Sequence, residues 1–285
     1  MRTPSGSSSL LCCRDGARMI RLIASDVDGT IVDHDGTLPD GRAAAVGEVL
    51  ASGIPMILAT GRLWSSIHDL SERLGLAGPH VTCNGSAVVG MDGTFHALEL
   101  VDTDLADTLA DVLHQRSIPY AVYLEDGSLV TDAIVAAHDV LPRLSEPIPT
   151  VGQRDGRRVI KVLAFVGAEE EQDLRSIGSD VARIQRTGPR FLEWSSAKAD
   201  KSVGVEVAAR TLGITLEQVV AIGDAENDVP MLRRAGLGVA VAGAAPAAAA
   251  AADVRLDEDL DDFLRRVAAG GVTLPTSGTG PAWAR

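Results

Sequence analysis

Three clusters of polar residues in this chain have the type and spacing to do chemistry. In "IASDVDGTIV" (Ile23–Val32), Asp26 and Asp28 stand two residues apart directly after an apolar run, with Gly29 behind them. Carboxylates at close range repel and raise one another's pKa. Such a pair needs a cation, counter-charges for a ligand, or a catalytic task. A second apolar run ends in Thr60, Gly61 and Arg62, and a third in Gly223 and Asp224, with Asn227 and Asp228 just beyond. Read singly, each cluster suits a structural role as well as a site. Asp224 could be the N-cap of a helix. The DxDG run could be a turn, although it lacks the third ligand at Thr30 and the glycine at Ile31 that a calcium loop requires.

The elements that must position these clusters alternate between two periods. "MIRLIASD", "IPMILATG" and "LEQVVAIGD" are apolar runs of strand length, and "LPDGRAAAVGEVLASG", "LWSSIHDLSERLGLAG" and "KSVGVEVAARTLG" have helical spacing. Strands alternating with helices imply a parallel sheet with right-handed crossovers. The fold class is therefore α/β, a doubly wound, Rossmann-like parallel-sheet core. Ligands of such sheets bind at the carboxyl ends of the strands, where all three clusters fall. If those strands are neighbours, Asp26, Asp28, Asp224 and Asp228 converge on one small volume. Hard oxygen ligands gathered in this way suit Mg²⁺.

Between about Val88 and Glu193 the pattern changes. Hairpin signals such as "EDGS", strand-like runs "RRVIKVLAFVG", "ARIQRTG" and "RFLEWSS", and two charged helical stretches predict an inserted α+β domain over 88–193. The core then comprises 19–87 and 194–269. Residues 1–18 are expected to be disordered or to derive from an upstream start codon, and 270–285 to be a flexible tail.

The chain has 285 residues, 46% of them apolar, with a net charge of −13. That charge argues against a nucleic-acid or anionic-membrane surface, though a local cation can still make one cleft fit a phosphate ester. Cys12, Cys13 and Cys83 form neither a disulfide framework nor a CxxC pair, which fits a reducing cytoplasm. No apolar run is long enough to span a membrane. The six histidines show no metal-binding spacing, and Tyr120, Tyr123 and Trp194 are read as packing residues.

Taken in order, "DVDGT", "LATGR", Lys201 in "KADKS" and "GDAENDVPML" resemble the four motifs of the haloacid dehalogenase superfamily of phosphohydrolases. "CNGS" around Asn84 resembles the turn into the large C2-type cap of its Cof-type branch. The likeness runs from about Met19 to Val267. It implies an Mg²⁺-dependent phosphatase that hydrolyses a small phosphorylated metabolite, a sugar phosphate among the candidates, through an aspartyl-phosphate. By the same resemblance Asp26 is the nucleophile and Asp28 the general acid and base. Thr60, Gly61, Lys201 and Asn227 bind the phosphate. The metal is held by Asp26, the backbone carbonyl of Asp28, Asp224 and Asp228, the last through water or by orienting its loop. Lys198 is a rival for the lysine, disfavoured by the alignment of "ADKS", and Arg62 is read as structural. The turn "VAGAA" (Val241–Ala245) stands where the branch often has an MGNA-like turn, and Ala249 where it often has a lysine. A phosphomutase of the phosphomannomutase type and a non-catalytic metabolite-binding protein are the alternatives. Retention of Asp26, Asp28, Lys201 and Asp224 speaks against the second.

Overall fold

The computed structural model describes residues 19–132, 146–187 and 190–275. The expected extension at 1–18 and residues 276–285 of the expected tail lie outside the described residues, while within 270–275 Leu274 is buried in the apolar cluster of the core.

A five-stranded parallel sheet forms the core. Its strands are β1 (Leu22–Ser25), β2 (Met56–Leu58), β12 (Val219–Gly223), β13 (Leu237–Ala240) and β14 (Val254–Arg255), in the order β14-β13-β12-β1-β2. The strands are too apolar to leave a solvent face, so helices cover both sides. Ile23, Leu58, Val220 and Ile222 pack towards α1 (Asp40–Ala51), α2 (Trp64–Leu74) and α8 (Leu260–Ala268). Leu22, Ala24, Ile57 and Ala221 point the other way, towards α5 (Lys201–Thr211), α6 (Val229–Arg234) and α7 (Pro246–Ala251). Chain order runs outward from β1 to β2 on one side and from β12 to β14 on the other. The topological switch point therefore lies between β1 and β12, where open α/β sheets bind ligands.

Strand β3 (His80–Thr82) extends this edge through a parallel bridge between Ala59 and Val81. It then pairs antiparallel with β4 (Ala87–Val89), and β4 with β5 (Phe95–Leu98). A second, six-stranded sheet follows, in the order β10-β11-β9-β6-β7-β8. Its members are β6 (Tyr120–Leu124), β7 (Leu129–Thr131), β8 (Thr150–Val151), β9 (Val159–Phe165), β10 (Ala182–Arg186) and β11 (Phe191–Ser196). All of its pairings are antiparallel except β7 with β8. One face packs Val122, Val162, Leu192 and Trp194 against α3 (Thr103–Gln115), with Leu174 of α4 (Ala168–Leu174) in the same apolar cluster. The fully buried Trp194 also donates its indole N–H to the Ile177 carbonyl, so it serves packing. The other face brings Ala121, Tyr123 and Leu163 against Leu63 and Cys83 of the core.

The limits read from sequence at 88 and 193 fall inside or beside strands. Val88 lies in β4, which pairs back onto β3 and is buried in the same apolar layer as Val205 of α5. At the other end, β11 continues to Ser196 because its register with β10 runs through Ala182↔Ser196. Antiparallel hairpins pair locally in either sheet, so the change of period that marks β4 and β5 does not say which sheet receives them.

His80 gives this region a titratable core. It is fully buried, stacks on Trp64, and accepts the Leu58 N–H on Nδ1 at 3.0 Å. Burial lowers its pKa from 6.5 to about 4. The unfolded chain therefore binds a proton between these values that the folded one refuses. The stabilising effect is complete above pH 6.5 and is lost as pH falls towards 4. His80→Asn keeps an acceptor for the Leu58 N–H but cannot titrate. Between pH 7 and pH 5 the native protein should lose about 2 kcal/mol relative to this variant, measured by chemical unfolding. Parallel curves for the two proteins would refute the assignment.

Candidate active site

The switch point sets the clusters side by side. Asp26 follows β1 directly, its N–H donating to the Ile222 carbonyl at 2.8 Å. Asp224 follows β12, and Thr60 lies just beyond β2. Gly29 adopts φ +77°, and a side chain there would meet Asp224 Oδ2 at 2.6 Å, so glycine lets the turn close over the site.

Lys201 is the hub. Asp200 caps α5 by accepting the Ser202 N–H at 2.7 Å, which makes Lys201 the first helical residue. The helix comes this close because Gly85, at φ +94°, has no side chain to overlap the Asp200 carbonyl. Lys201 Nζ donates to Asp26 Oδ1 and to Asp228 Oδ1, each at 2.6 Å, and all three side chains are buried. Burial alone would lower the ammonium pKa, but Asp228 and Asp26 outweigh it and raise it. Lys198, the rival, is exposed.

Asp228 Oδ2 accepts the backbone N–H groups of Asp224 and Ala225, each at 2.9 Å. Both of its oxygens are thus engaged, and it orients the loop that carries Asp224. Thr30 Oγ1 donates to Asp224 Oδ1 at 3.3 Å. Carboxylate oxygens of Asp26, Asp224 and Asp228 come within 4.8 Å of one another. Burial pushes the Asp26 carboxyl well above its ordinary value, with Asp228 adding to the effect and Lys201 opposing it. Burial, then Asp228, raises Asp224 as well. These three side chains can hold a cation.

Asp28 stands outside that group. Its carboxylate is half exposed and sits in the fork of Arg62, whose Nε donates to Oδ2 at 2.9 Å while Nη2 meets Oδ1. Arg62, read from sequence as structural, pairs with this acid in the bidentate geometry that a planar guanidinium favours. The Arg62 N–H also donates to Thr60 Oγ1 at 3.2 Å. Gly61 packs against Asn84, where a side chain would lie 3.2 Å from Asn84 Oδ1. Asn227 donates to Asn84 Oδ1 at 3.0 Å.

A cavity opens beside Lys201 and Asn227, lined by Asn84, Asp200 and Glu226 of the core and by Arg183 and Gln185 of β10. Arg183 pairs with Asp200 at 3.2 Å, yet its buried Nε has no partner among the described residues. Sequence reasoning missed Arg183, Gln185, Lys161 and Glu193. Their one visible signal was a charged or polar side chain within a strand-like run, as in "VIKVLAF" and "FLEWSS".

The architecture so defined is a Rossmann-like α/β core with a second sheet over the carboxyl edge of its strands. Residues 23–262 match the haloacid dehalogenase-like hydrolases, and the chain belongs to that family, in its Cof-type branch. It is 30% identical over 253 residues to a phosphoglycolate phosphatase of Methanopyrus kandleri, covering 87% of this chain and 97% of that protein. It is 26% identical over 251 residues to a 5-amino-6-(5-phospho-D-ribitylamino)uracil phosphatase of Bacillus subtilis, covering 85% and 92%. A haloacid dehalogenase-like hydrolase from Bacteroides thetaiotaomicron shares the fold, with a TM-score of 0.77 at 21% identity over 87% of this chain and 99% of that one. No helix among the described residues is long and apolar enough to cross a membrane.

Proposed function

We propose that the protein is an Mg²⁺-dependent phosphatase that hydrolyses a small, hydroxyl-rich phosphate monoester through an aspartyl-phosphate at Asp26. Charge balance carries the reading. Four carboxylates, Asp26, Asp28, Asp224 and Asp228, meet only Lys201 and Arg62 as paired cations among the described residues. An excess of negative charge, buried at Asp26 and Asp228 and with the carboxyl pKa values of Asp26 and Asp224 raised, fits a divalent cation held by oxygen ligands. Asp26 and Asp224, with the Asp28 carbonyl, would hold it, and Asp228 would fix the loop. When bound, Mg²⁺ neutralises charge on the transferring phosphoryl group.

The chain's own residues divide the remaining work. Asp26, oriented by Lys201, is the nucleophile, and the ester oxygen leaves as the Asp26–phosphorus bond forms. Asp28, released from Arg62, gives that oxygen a proton and then takes one from the water that cleaves the acyl phosphate. The Thr60 hydroxyl, the Gly61 N–H, Lys201 and Asn227 bind the phosphate oxygens. The second sheet excludes water while the intermediate stands. Planar polar side chains dominate the lining of the adjoining cavity, with no aromatic ring among the described residues that form it. Those groups suit hydroxyls on the leaving group, a chemistry consistent with sugar and polyol phosphates.

The test is phosphate release from a panel of sugar, polyol, nucleoside and cofactor phosphates, with Mg²⁺ or with EDTA. Release that falls at least about a hundredfold on chelation, with sugar and polyol phosphates ranked first, is the expected result. Release indifferent to chelation, or isomerised sugar phosphate in place of free phosphate, would overturn it.

A further inference from the structure

Lys161 and Glu193 form an ion pair that the chemistry at Asp26 does not use. They lie on β9 and β11 of the second sheet and are 4% and 1% exposed. Lys161 Nζ donates to Glu193 Oε2 at 3.1 Å and lies 4.2 Å from the centre of the Tyr123 ring. Taking two charges out of water costs several kcal/mol per ion, and an apolar pair of like volume often serves packing better. The contacts of this pair reach beyond the sheet. Glu193 Oε1 accepts from Asn84 Nδ2 at 3.0 Å, and Asn84 in turn accepts from Asn227. Lys161 Nζ donates to the Gly61 carbonyl at 2.8 Å.

That carbonyl belongs to the Gly61–Arg62 peptide. The N–H of the same planar unit donates to Thr60 Oγ1. A hydroxyl carries one proton, and Oγ1 accepts here, so its proton is left to donate elsewhere. Lys161 thus fixes one end of a rigid plane whose other end sets the direction of the Thr60 hydroxyl.

We infer that Lys161, held in place by Glu193, is a positioning residue of the second sheet that aims the Thr60 hydroxyl at the phosphate by fixing the Gly61–Arg62 peptide. This rests on the phosphate-binding reading of Thr60. It goes beyond that reading by making the second sheet part of the phosphate site's geometry, through a residue that touches no substrate.

The experiment is a double-mutant cycle on the full chain, read by the affinity for inorganic phosphate with Mg²⁺ and by kcat and KM. Lys161→Met should weaken phosphate binding about tenfold in the native background, the effect of one misdirected hydrogen bond. In a Thr60→Val background the same change should add less than about twofold, because the hydroxyl it aims is gone. The paired variant Lys161→Met with Glu193→Gln removes both charges of the pair together and should show the same coupling. Equal losses in both backgrounds, or none in either, overturn the inference while phosphate binding at Thr60 stands. If Thr60→Val itself leaves phosphate affinity unchanged, the reading of Thr60 falls and the inference falls with it.

Discussion

Asp26→Asn should lower phosphate release by at least about 10⁴-fold while leaving the protein as stable as before, or more so, at neutral pH. The loss of activity follows from chemistry. An amide oxygen is a poor nucleophile towards phosphorus, and removing the group that carries a covalent intermediate has effects of this size. The stability effect follows from the site's electrostatics. Burial, reinforced by Asp228, raises the Asp26 carboxyl well above its ordinary 3.8. The folded state therefore disfavours the ionised form, and above pH 3.8 this carboxylate opposes folding. Asparagine keeps an oxygen to accept from Lys201, which retains Asp228 at 2.6 Å. It removes the charge that repels Asp228 and Asp224. Activity and stability should thus move in opposite directions, as at sites built for function at the expense of stability. Steady-state release and thermal melts without metal, both at pH 7, check the two halves. An active Asp26→Asn protein would refute the nucleophile, and a melting point several degrees lower would refute the electrostatic account.

How much of this site could be read from sequence depends on how far apart its partners lie along the chain. Asp26, Thr60 and Asp224 are legible because each ends an apolar run, and a parallel sheet brings such ends to one edge. No side-chain contact need be known. Lys201 is legible only through motif resemblance, since its grip on Asp26 spans 175 positions. The partner of Arg62 is hidden for the same reason. Its type suits any surface acid, and only the turn that returns Asp28 to it, 34 residues away, reveals the clamp. The second sheet is harder still. Lys161 meets Gly61 across 100 positions, and Glu193 meets Asn84 across 109. Whether a charge in a strand faces helices or the core depends on register, which a one-residue slip would invert. A lysine inside "VIKVLAF" signals that one face of that strand is not simply apolar, without naming its partner.

Lys201→Met should reverse the stability result of Asp26→Asn. It removes the buried cation that Asp26 and Asp228 share, and leaves both carboxylates facing each other with Asp224 nearby. Breaking a buried pair by deleting one partner costs about 3–5 kcal/mol. Met matches the lysine stem in length, so the loss reports charge rather than a cavity. Hydrolysis should fall at least about 10³-fold, because the phosphate loses a cation and the nucleophile loses its orientation. The discriminating measurement is the melting point with and without Mg²⁺. A divalent cation at Asp26 and Asp224 would offset part of the repulsion that Lys201 normally relieves. Saturating Mg²⁺ should therefore raise the melting point of Lys201→Met by more than it raises that of the native protein. In Asp26→Asn, which has lost a ligand, the increment should be smaller than in the native protein. That ordering of the three increments ties the lysine, the nucleophile and the cation to one cluster of charge. Equal increments would place the Mg²⁺ elsewhere, and a Lys201→Met protein as stable as the native one would mean that the carboxylates do not depend on this lysine.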